Sequence, residues 1–573
     1  MRNIKSSSIK EARRHAQKQS KHIFYTGTVL KYHVNSNGKD ERILLITDLF
    51  VSYYSKKGEN TNINYWIELN EFSFQNKDKN ILINLKFDQN EKMKFECPSK
   101  SNVGQIILES IKHMSIRKDL KVEGVNPKFC FSVLPRTIFN IFISQILRNN
   151  NDISKTLKKS IRMICRLHSK IIGFMPNMIE KYFPFLLNSI IYSNYIESLR
   201  IPELDKTDVF KCLSEYLQKE SIADSTLFHI GIAKQDMKNF QLFCDSLSKY
   251  KSSNNKISAV TFVNTEFNKE SVMILSKAIN KSNGKGSYCI NSLGFENATK
   301  TDVNFVQSFF PNSESLQNVN SPIKYLSISR MRIDNISNFI SLLKGVRVLS
   351  LSYMNIEVSS IFQAISNTGM NDLNFLNVSG NFFNESSSYA KKLPSSLQRL
   401  DANEVNFYVQ NPESENGNSM VDFYISVLNK KWNSLFYLSF SHISVHNNNE
   451  GAFSPDSSLK YLFSKLKKCK TASCEILKGL SFSGNYVNNE FFEFIKKCRN
   501  LRALFINYVF TVQSSNLDSF CEVLSDFLPN LNTLSVIGDL NNNKVIGEKF
   551  TLFCKALKKC KSLQCLIGRS DKL

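Results

Sequence analysis

From about Ile196 to the C-terminus one short apolar spacing keeps returning. Its clearest copies are Leu373, Leu376, Val378, Asn381, Phe383 and Leu477, Leu480, Phe482, Asn485, Val487. Weaker copies include Ile257-Val260-Phe262, Ile290-Leu293-Phe295, Ile323-Leu326-Ile328, Val346-Leu349-Leu351, Leu435-Leu438-Phe440 and Leu531-Leu534-Val536. Most gaps between copies hold apolar residues at helical spacing, such as Phe491, Phe492, Phe494 and Ile495. Each unit therefore reads as strand, turn and helix. Leu477, Leu480 and Phe482 are expected to point inward, with Ser481 facing the opposite, outer surface of the strand. Lys467-Lys468-Cys469-Lys470, Lys496-Lys497-Cys498-Arg499 and Lys558-Lys559-Cys560-Lys561 each close a helix, where cations suit the negative end of its dipole.

Between Ile23 and about Arg117 the period changes to two. Runs at 23–31, 42–47, 50–55, 64–69, 72–74, 81–87 and 92–96 read as strands separated by turn-formers such as Asn35-Ser36-Asn37-Gly38. An amphipathic helix follows, from Val103 to Met114, with Ile106, Ile107, Ser110, Ile111 and Met114 on one side. Residues 118 to about 192 read as helical, broken by Pro127, Pro135, Pro176 and Pro184. Within them, 153–172 is predicted as one helix with Lys155, Lys158, Lys159, Arg162, Arg166 and Lys170 on a narrow face that suits acidic lipid or protein. Opposite it lie Ile153, Leu157, Ile161, Ile164, Leu167 and Ile171.

The pattern L-x-x-L-x-L-x-x-N-x-L is the leucine-rich-repeat signature, in which Asn381 and Asn485 bond the backbone of the turn that follows the strand. Seven strands closed by one helix is the pleckstrin-homology arrangement. Thr26–Lys31, Arg42–Thr47 and Asn64–Leu69 sit where such a domain has its first, second and fourth strands. A domain of that kind before helices and helix-bearing repeats resembles the CARMIL family of actin-regulatory scaffolds. The expected fold is multidomain α/β: a basic extension at 1–22, a seven-stranded PH-like barrel with C-terminal helix at 23–118, a helical linker or cap at 119–192, and a curved leucine-rich-repeat solenoid of about a dozen units at 193–573. The resemblance implies membrane association and actin organisation. The CARMIL dimerisation and capping-protein-binding regions have no counterpart in these residues, so neither property is implied.

A formal charge of +24 favours anionic partners. Lipid-binding candidates on the first strands and their loops are Lys31, Lys39, Arg42, Lys56 and Lys57, although Asp40 and Glu41 interrupt the usual basic pattern. Weak anionic-lipid contact needs only summed charge. Aromatic residues fall mostly on core positions, which argues against nucleic acid. The cysteines are spread singly, Cys469 with Cys474 and Cys560 with Cys565 being the closest pairs, and read as buried free thiols of a cytoplasmic protein, which the lipid contact would bring to the periphery of the plasma membrane. No catalytic, metal or cofactor motif is present; Asn283-Gly284-Lys285-Gly286-Ser287 reads as a turn. The expectation is a non-enzymatic scaffold whose concave strand face binds another protein. The alternatives are a GTPase activator acting through Arg330, Arg332 or Arg200, which would need one exposed basic or polar residue at a strand-to-helix turn, and a generic repeat binding module with no actin role.

Overall fold

The computed structural model describes residues 6–19, 22–33, 38–57, 59–77, 80–88, 91–98, 102–112, 121–123, 135–149, 153–167, 169–191, 193, 195–218, 226–249, 257–283, 290–298, 323–384, 392–409, 419–447, 451–453, 456–468, 472–507, 516–537 and 545–567. The chain is mixed α/β and divides into two compact units, Met1–Ser258 and Ala259–Leu573.

In the first unit the two-residue alternation folds into β1 (Ile23–Tyr32), β2 (Lys39–Thr47), β3 (Phe50–Tyr54), β4 (Asn60–Tyr65), β5 (Leu69–Lys77), β6 (Asn80–Phe87) and β7 (Lys92–Pro98). These seven strands pair antiparallel in the order β4-β3-β2-β1-β7-β6-β5, a curled sheet in which β4 and β5 share no ladder. Helix Val103–Lys112 follows and buries Val103 and Ile107. The run expected as a strand over 64–69 leaves the sheet after Tyr65, and Trp66–Glu68 forms a single 3-10 turn. Trp66 causes this: its ring is buried, its Nε1 donates to the Thr47 carbonyl at 2.9 Å, and its backbone N–H donates to Leu49 at 3.1 Å. The basic N-terminus forms helix Ser6–Gln19, which is not merely solvated. Ala12 and Ala16 are fully buried, and His15 Nδ1 lies 3.0 Å from the Tyr54 hydroxyl. Small side chains let a strongly basic helix approach the sheet while its long cations stay in water.

Two segments expected to be helical are strands. Lys121–Glu123 forms β8, parallel to β5, and Ile171–Gly173 forms β9, parallel to β10 (Ser198–Ile201). The basic amphipathic helix accordingly runs only from Lys155 to Leu167. Past Ser169, the β-branched pair Ile171-Ile172 gains more from the ladder, where Ile172 is buried against the row of Leu199, than from another helical turn ended by Gly173 and Pro176. Strand β11 (His229–Ile232) pairs parallel with the other side of β10.

The second unit contains, in chain order, β12 (Ala259–Val263), β13 (Ser292–Glu296), β14 (Tyr325–Ser329), β15 (Val348–Ser352), β16 (Phe375–Asn377), β17 (Phe382–Phe383), β18 (Arg399–Asp401), β19 (Asn406–Val409), β20 (Tyr437–Ser439), β21 (Ser444–Asn447), β22 (Gly451–Phe453), β23 (Gly479–Ser481), β24 (Ala503–Phe505), β25 (Thr533–Ser535) and β26 (Cys565–Ile567). One ladder runs in chain order through β12, β13, β14, β15, β16, β18, β20, β23, β24, β25 and β26, every pair parallel. Its register aligns the repeated leucines: Leu293, Leu326, Leu349, Leu376, Leu400 and Leu438 are successive partners, and all are buried. A second small sheet, missed by the sequence reading, joins β17, β19 and β21 in parallel with β22 antiparallel at its edge.

Helices cover the inner side. Phe463, Phe482 and Phe491 pack within 5.6 Å of one another by ring centroids. Helix starts are held by side-chain caps, Asn335 accepting from Asn338 N–H and Asn488 from Phe491 N–H. The basic helix ends act on their neighbours: Lys497 Nζ donates to the carbonyls of Leu466 and Lys467, at 2.9 and 2.8 Å, at the open end of helix Asp456–Lys468. No helix among the described residues is long and apolar enough to cross a membrane.

Ser481 differs from its expected exposed position. It is buried, and its hydroxyl lies 2.9 Å from that of Ser441. Leu480→Ala is expected to cost about 2 to 5 kcal/mol through the cavity it leaves, and Ser481→Ala about 1 kcal/mol through the lost hydrogen bond. Hydrogen exchange should place the Leu480→Ala loosening in residues 477–537 and leave β1–β7 protected. Equal costs at the two positions would show the repeat register to be wrong.

Candidate interaction surface

Strands of three to five residues end abruptly, and their last backbone groups need partners. Asn381 supplies several. Its Oδ1 accepts from Met354 N–H at 3.1 Å and Ile356 N–H at 3.2 Å, while Nδ2 donates to the carbonyls of Leu351 and Val378 at 2.6 and 2.9 Å. Asn485 does likewise, accepting from Ile443 N–H at 2.8 Å and donating to Phe440 and Phe482. The partners therefore lie in the preceding unit and at the end of the residue's own strand, not in the turn that follows.

A second polar ladder was not anticipated. Side-chain oxygens of Ser379, Asn403, Ser441, Ser483 and Asn507 each accept the backbone N–H of the equivalent residue one unit on, at 2.8 to 3.1 Å. The residue after Ser379, Asn403, Ser441 and Ser483 turns left-handed, as does Tyr353 one unit earlier. Tyr353 (φ 55°), Gly380 (70°), Glu404 (52°), His442 (54°) and Gly484 (69°) occupy that column. This conformation aims each N–H at the next unit: Gly380 N–H donates to Asn403, Glu404 N–H to Ser441 and His442 N–H to Ser483. The two glycines are also places of close approach. A Cβ on Gly380 would stand 2.2 Å from the Tyr353 ring, and one on Gly484 would stand 2.1 Å from His442.

Beside this column is a cavity of about 490 Å³ lined by Tyr353, Gly380, Glu404, Asn406, His442 and Ser444. Tyr353 bonds Glu404, and the Arg330 guanidinium lies 5.3 Å above the Tyr353 ring. On the outer row of the ladder, Tyr325, Val348, Phe375, Arg399 and Tyr437 are register partners. Arg399 is clamped between the rings of Phe375 and Tyr437, at 4.8 and 4.4 Å, and binds Asp401 through two nitrogens. Burial pushes the Asp401 carboxyl up while the Arg399 guanidinium pulls it down, and burial prevails. Tyr437 in turn lies over Gly479, where a Cβ would meet its ring at 2.2 Å.

No family model and no curated protein matches the chain. Among solved structures it is similar to the Rad7 and Elc1 complex of yeast, at 13% identity and a TM-score of 0.39, over 70% of this chain and 88% of that one. A similarity of that size supports no functional argument.

The structure brings four of the five lipid candidates together and then engages them. Lys31 lies 4.9 Å from the Tyr53 ring; Lys39 pairs with Glu96 at 3.1 Å, Arg42 with Asp40 at 3.0 Å and Lys56 with Glu41 at 3.3 Å. Burial, with Arg42 nearby, lowers the pKa of Lys31 against the opposing pull of Asp40. Lys57 stands exposed in the β3–β4 turn. Of the arginines considered for GTPase activation, Arg330 pairs with Glu296 at 2.6 Å, Arg332 with Asp334 at 3.0 Å, and Arg200 is exposed on β10. Buried cysteines include Cys474 and Cys498, which the fold places together; the hydrogen bond that the Cys498 thiol makes to Cys474, and burial, raise the Cys498 thiol pKa. Cys469 and the Gly284–Ser287 turn lie outside the described residues.

On the strand face of the first unit, Ser198 Oγ lies 2.7 Å from His229 Nδ1, and burial followed by the charge of Arg200 lowers the His229 pKa below its ordinary 6.5. A depressed folded pKa means that the unfolded chain takes up the proton first as pH falls. Stability at β10–β11 should therefore be complete above about pH 6.5 and decline as the pH drops through the folded value. Amide exchange over His229–Ile232 should rise on acidification, and His229→Gln should flatten that response; an unchanged profile in the variant would remove His229 as its source. In the second unit, Asn381→Ala should cost about 2 to 3 kcal/mol, since buried backbone groups lose their partner. Denaturant unfolding measures this, and a cost near zero would mean water replaces the amide.

Proposed function

We propose that the chain is a non-enzymatic protein-binding scaffold, built as a PH-like sheet, a helical segment and a leucine-rich-repeat solenoid whose strand face takes up another protein. One observation carries the reading. Tyr325 and Tyr353 remain 44% and 38% exposed, and Arg399 is displayed between two rings that immobilise it. Exposed tyrosines and arginines that are already held in place lose little conformational entropy on binding, and these residue types dominate interface energetics. The setting in actin organisation at the plasma membrane enters through the CARMIL resemblance alone. Anionic-lipid contact by the sheet would fall to Lys57 and Lys31, since Lys39, Arg42 and Lys56 already have acidic partners.

Affinity capture with the full chain, followed by mass spectrometry, tests the binding face. Proteins captured by the wild type should be lost with Tyr325→Ser/Tyr353→Ser, a change expected to weaken binding roughly tenfold or more, with circular dichroism showing the variant still folded. Capture of the same proteins by both chains would sink the assignment of this face. Added to small GTPases, the chain should leave hydrolysis unchanged, whereas an activator accelerates it roughly 10³-fold or more. Acceleration abolished by Arg330→Ala, Arg332→Ala or Arg200→Ala would replace the scaffold reading with the activator one.

A further inference from the structure

Helix Lys155–Leu167 buries Leu157, Ile161 and Cys165. At about 100° per residue, the opposite side brings Lys155, Arg166 and Lys159 into one stripe, with Met163 and Leu167 directly beside it. Those two apolar side chains face water: Met163 is 56% exposed and Leu167 70%. The chain then turns into β9, which pairs with β10 and is the end strand of its ladder among the described residues. Ile171 on that strand is 49% exposed, and Met175, just before the next helix, is 68% exposed.

Four large apolar residues thus stand in water between positions 163 and 175; elsewhere among the described residues no stretch of that length exposes more than two. Single exposed apolar residues are ordinary, but a run of them bordered by cations marks a binding surface. The bordering charges are of one sign. Lys155, Lys159 and Arg166 are exposed with no acid paired to them among the described residues, while Lys170 is taken by Glu197 at 2.7 Å. Arg162 is turned away, lying 5.0 Å over the Phe139 ring.

We propose that residues 155–175 form a docking surface for an anionic lipid bilayer. The apolar side chains project from a helix face and an end strand, and the charges that border them are all cationic. A soft interface accepts such projections without a matching shape. Met163, Leu167, Ile171 and Met175 enter the boundary between headgroups and acyl chains, and Lys155, Lys159 and Arg166 meet lipid phosphates at its edge. The inference does not depend on the protein-binding face, and it locates membrane contact away from the lysines of the curled sheet.

The test is sedimentation of the full chain with vesicles of phosphatidylcholine alone and of phosphatidylcholine with phosphatidylserine. The wild type should bind the mixed vesicles and lose most binding at high salt, because screening shortens to about 3 Å at 1 M. Met163→Ser/Leu167→Ser and, separately, Lys159→Glu/Arg166→Glu should each lower binding about fivefold or more, as expected when apolar insertion and charge act together. Circular dichroism should show both variants folded, since all four positions lie on the solvent side. Lys31→Gln/Lys57→Gln should lower binding less than either patch variant does. Wild-type chain that ignores phosphatidylserine, patch variants that bind unchanged, or binding abolished by the sheet lysines instead would each overturn the proposal.

Discussion

The second unit depends on satisfying backbone groups where very short strands end. A long strand keeps its N–H and C=O groups in one ladder, but strands of three to five residues expose unsatisfied groups every unit. This chain resolves the difficulty sideways. Ser379, Asn403, Ser441, Ser483 and Asn507 lend a side-chain oxygen to the next unit's N–H, and the left-handed residue after each of the first four donates its N–H to the next unit's carbonyl. Such a ladder propagates only between adjacent units of the same register. It therefore imposes the same turn on each unit, which in turn aligns the leucine column.

The same turn decides what the surface displays. A left-handed residue with a side chain costs about 1 kcal/mol or more, yet Tyr353, Glu404 and His442 occupy that conformation. Gly380 follows Tyr353 and Gly484 follows His442 because the rings of Tyr353 and His442 fill the space a Cβ would need. At these two places a large and a small residue in successive units fit together, and Gly380 lines the cavity beside Glu404. Arg399 follows the same rule on the outer row, held by the rings before and after it. Display and stability arise from one stacking arrangement.

Periodicity made much of the architecture legible. The change from period two to the L-x-x-L-x-L spacing separates the curled sheet from the parallel strands, and most predicted strand positions agree with the structure. Failures occurred where one side chain outweighed the local pattern. Trp66 pulled its segment out of a strand to reach the Thr47 carbonyl. Ile171 and Ile172 fit a helical stripe equally well, but a neighbouring strand offered them a ladder. The candidate lipid residues fared less well: charge counting located Lys39, Arg42 and Lys56, but acids from the same and neighbouring strands engage them.

The sequence by itself determined the units, because burial of Leu376 or Leu480 is dictated by spacing along one chain segment and needs no knowledge of its neighbours. Tertiary structure decided the rest. That Asn381 serves the preceding unit, that Lys497 closes another helix, that Arg399 lies between Phe375 and Tyr437, and that Met163 and Leu167 remain in water all depend on which unit lies alongside. Hydrogen bonds and ring contacts act over a few ångströms between residues about 25 to 40 positions apart, a relation that register creates and that no local pattern encodes.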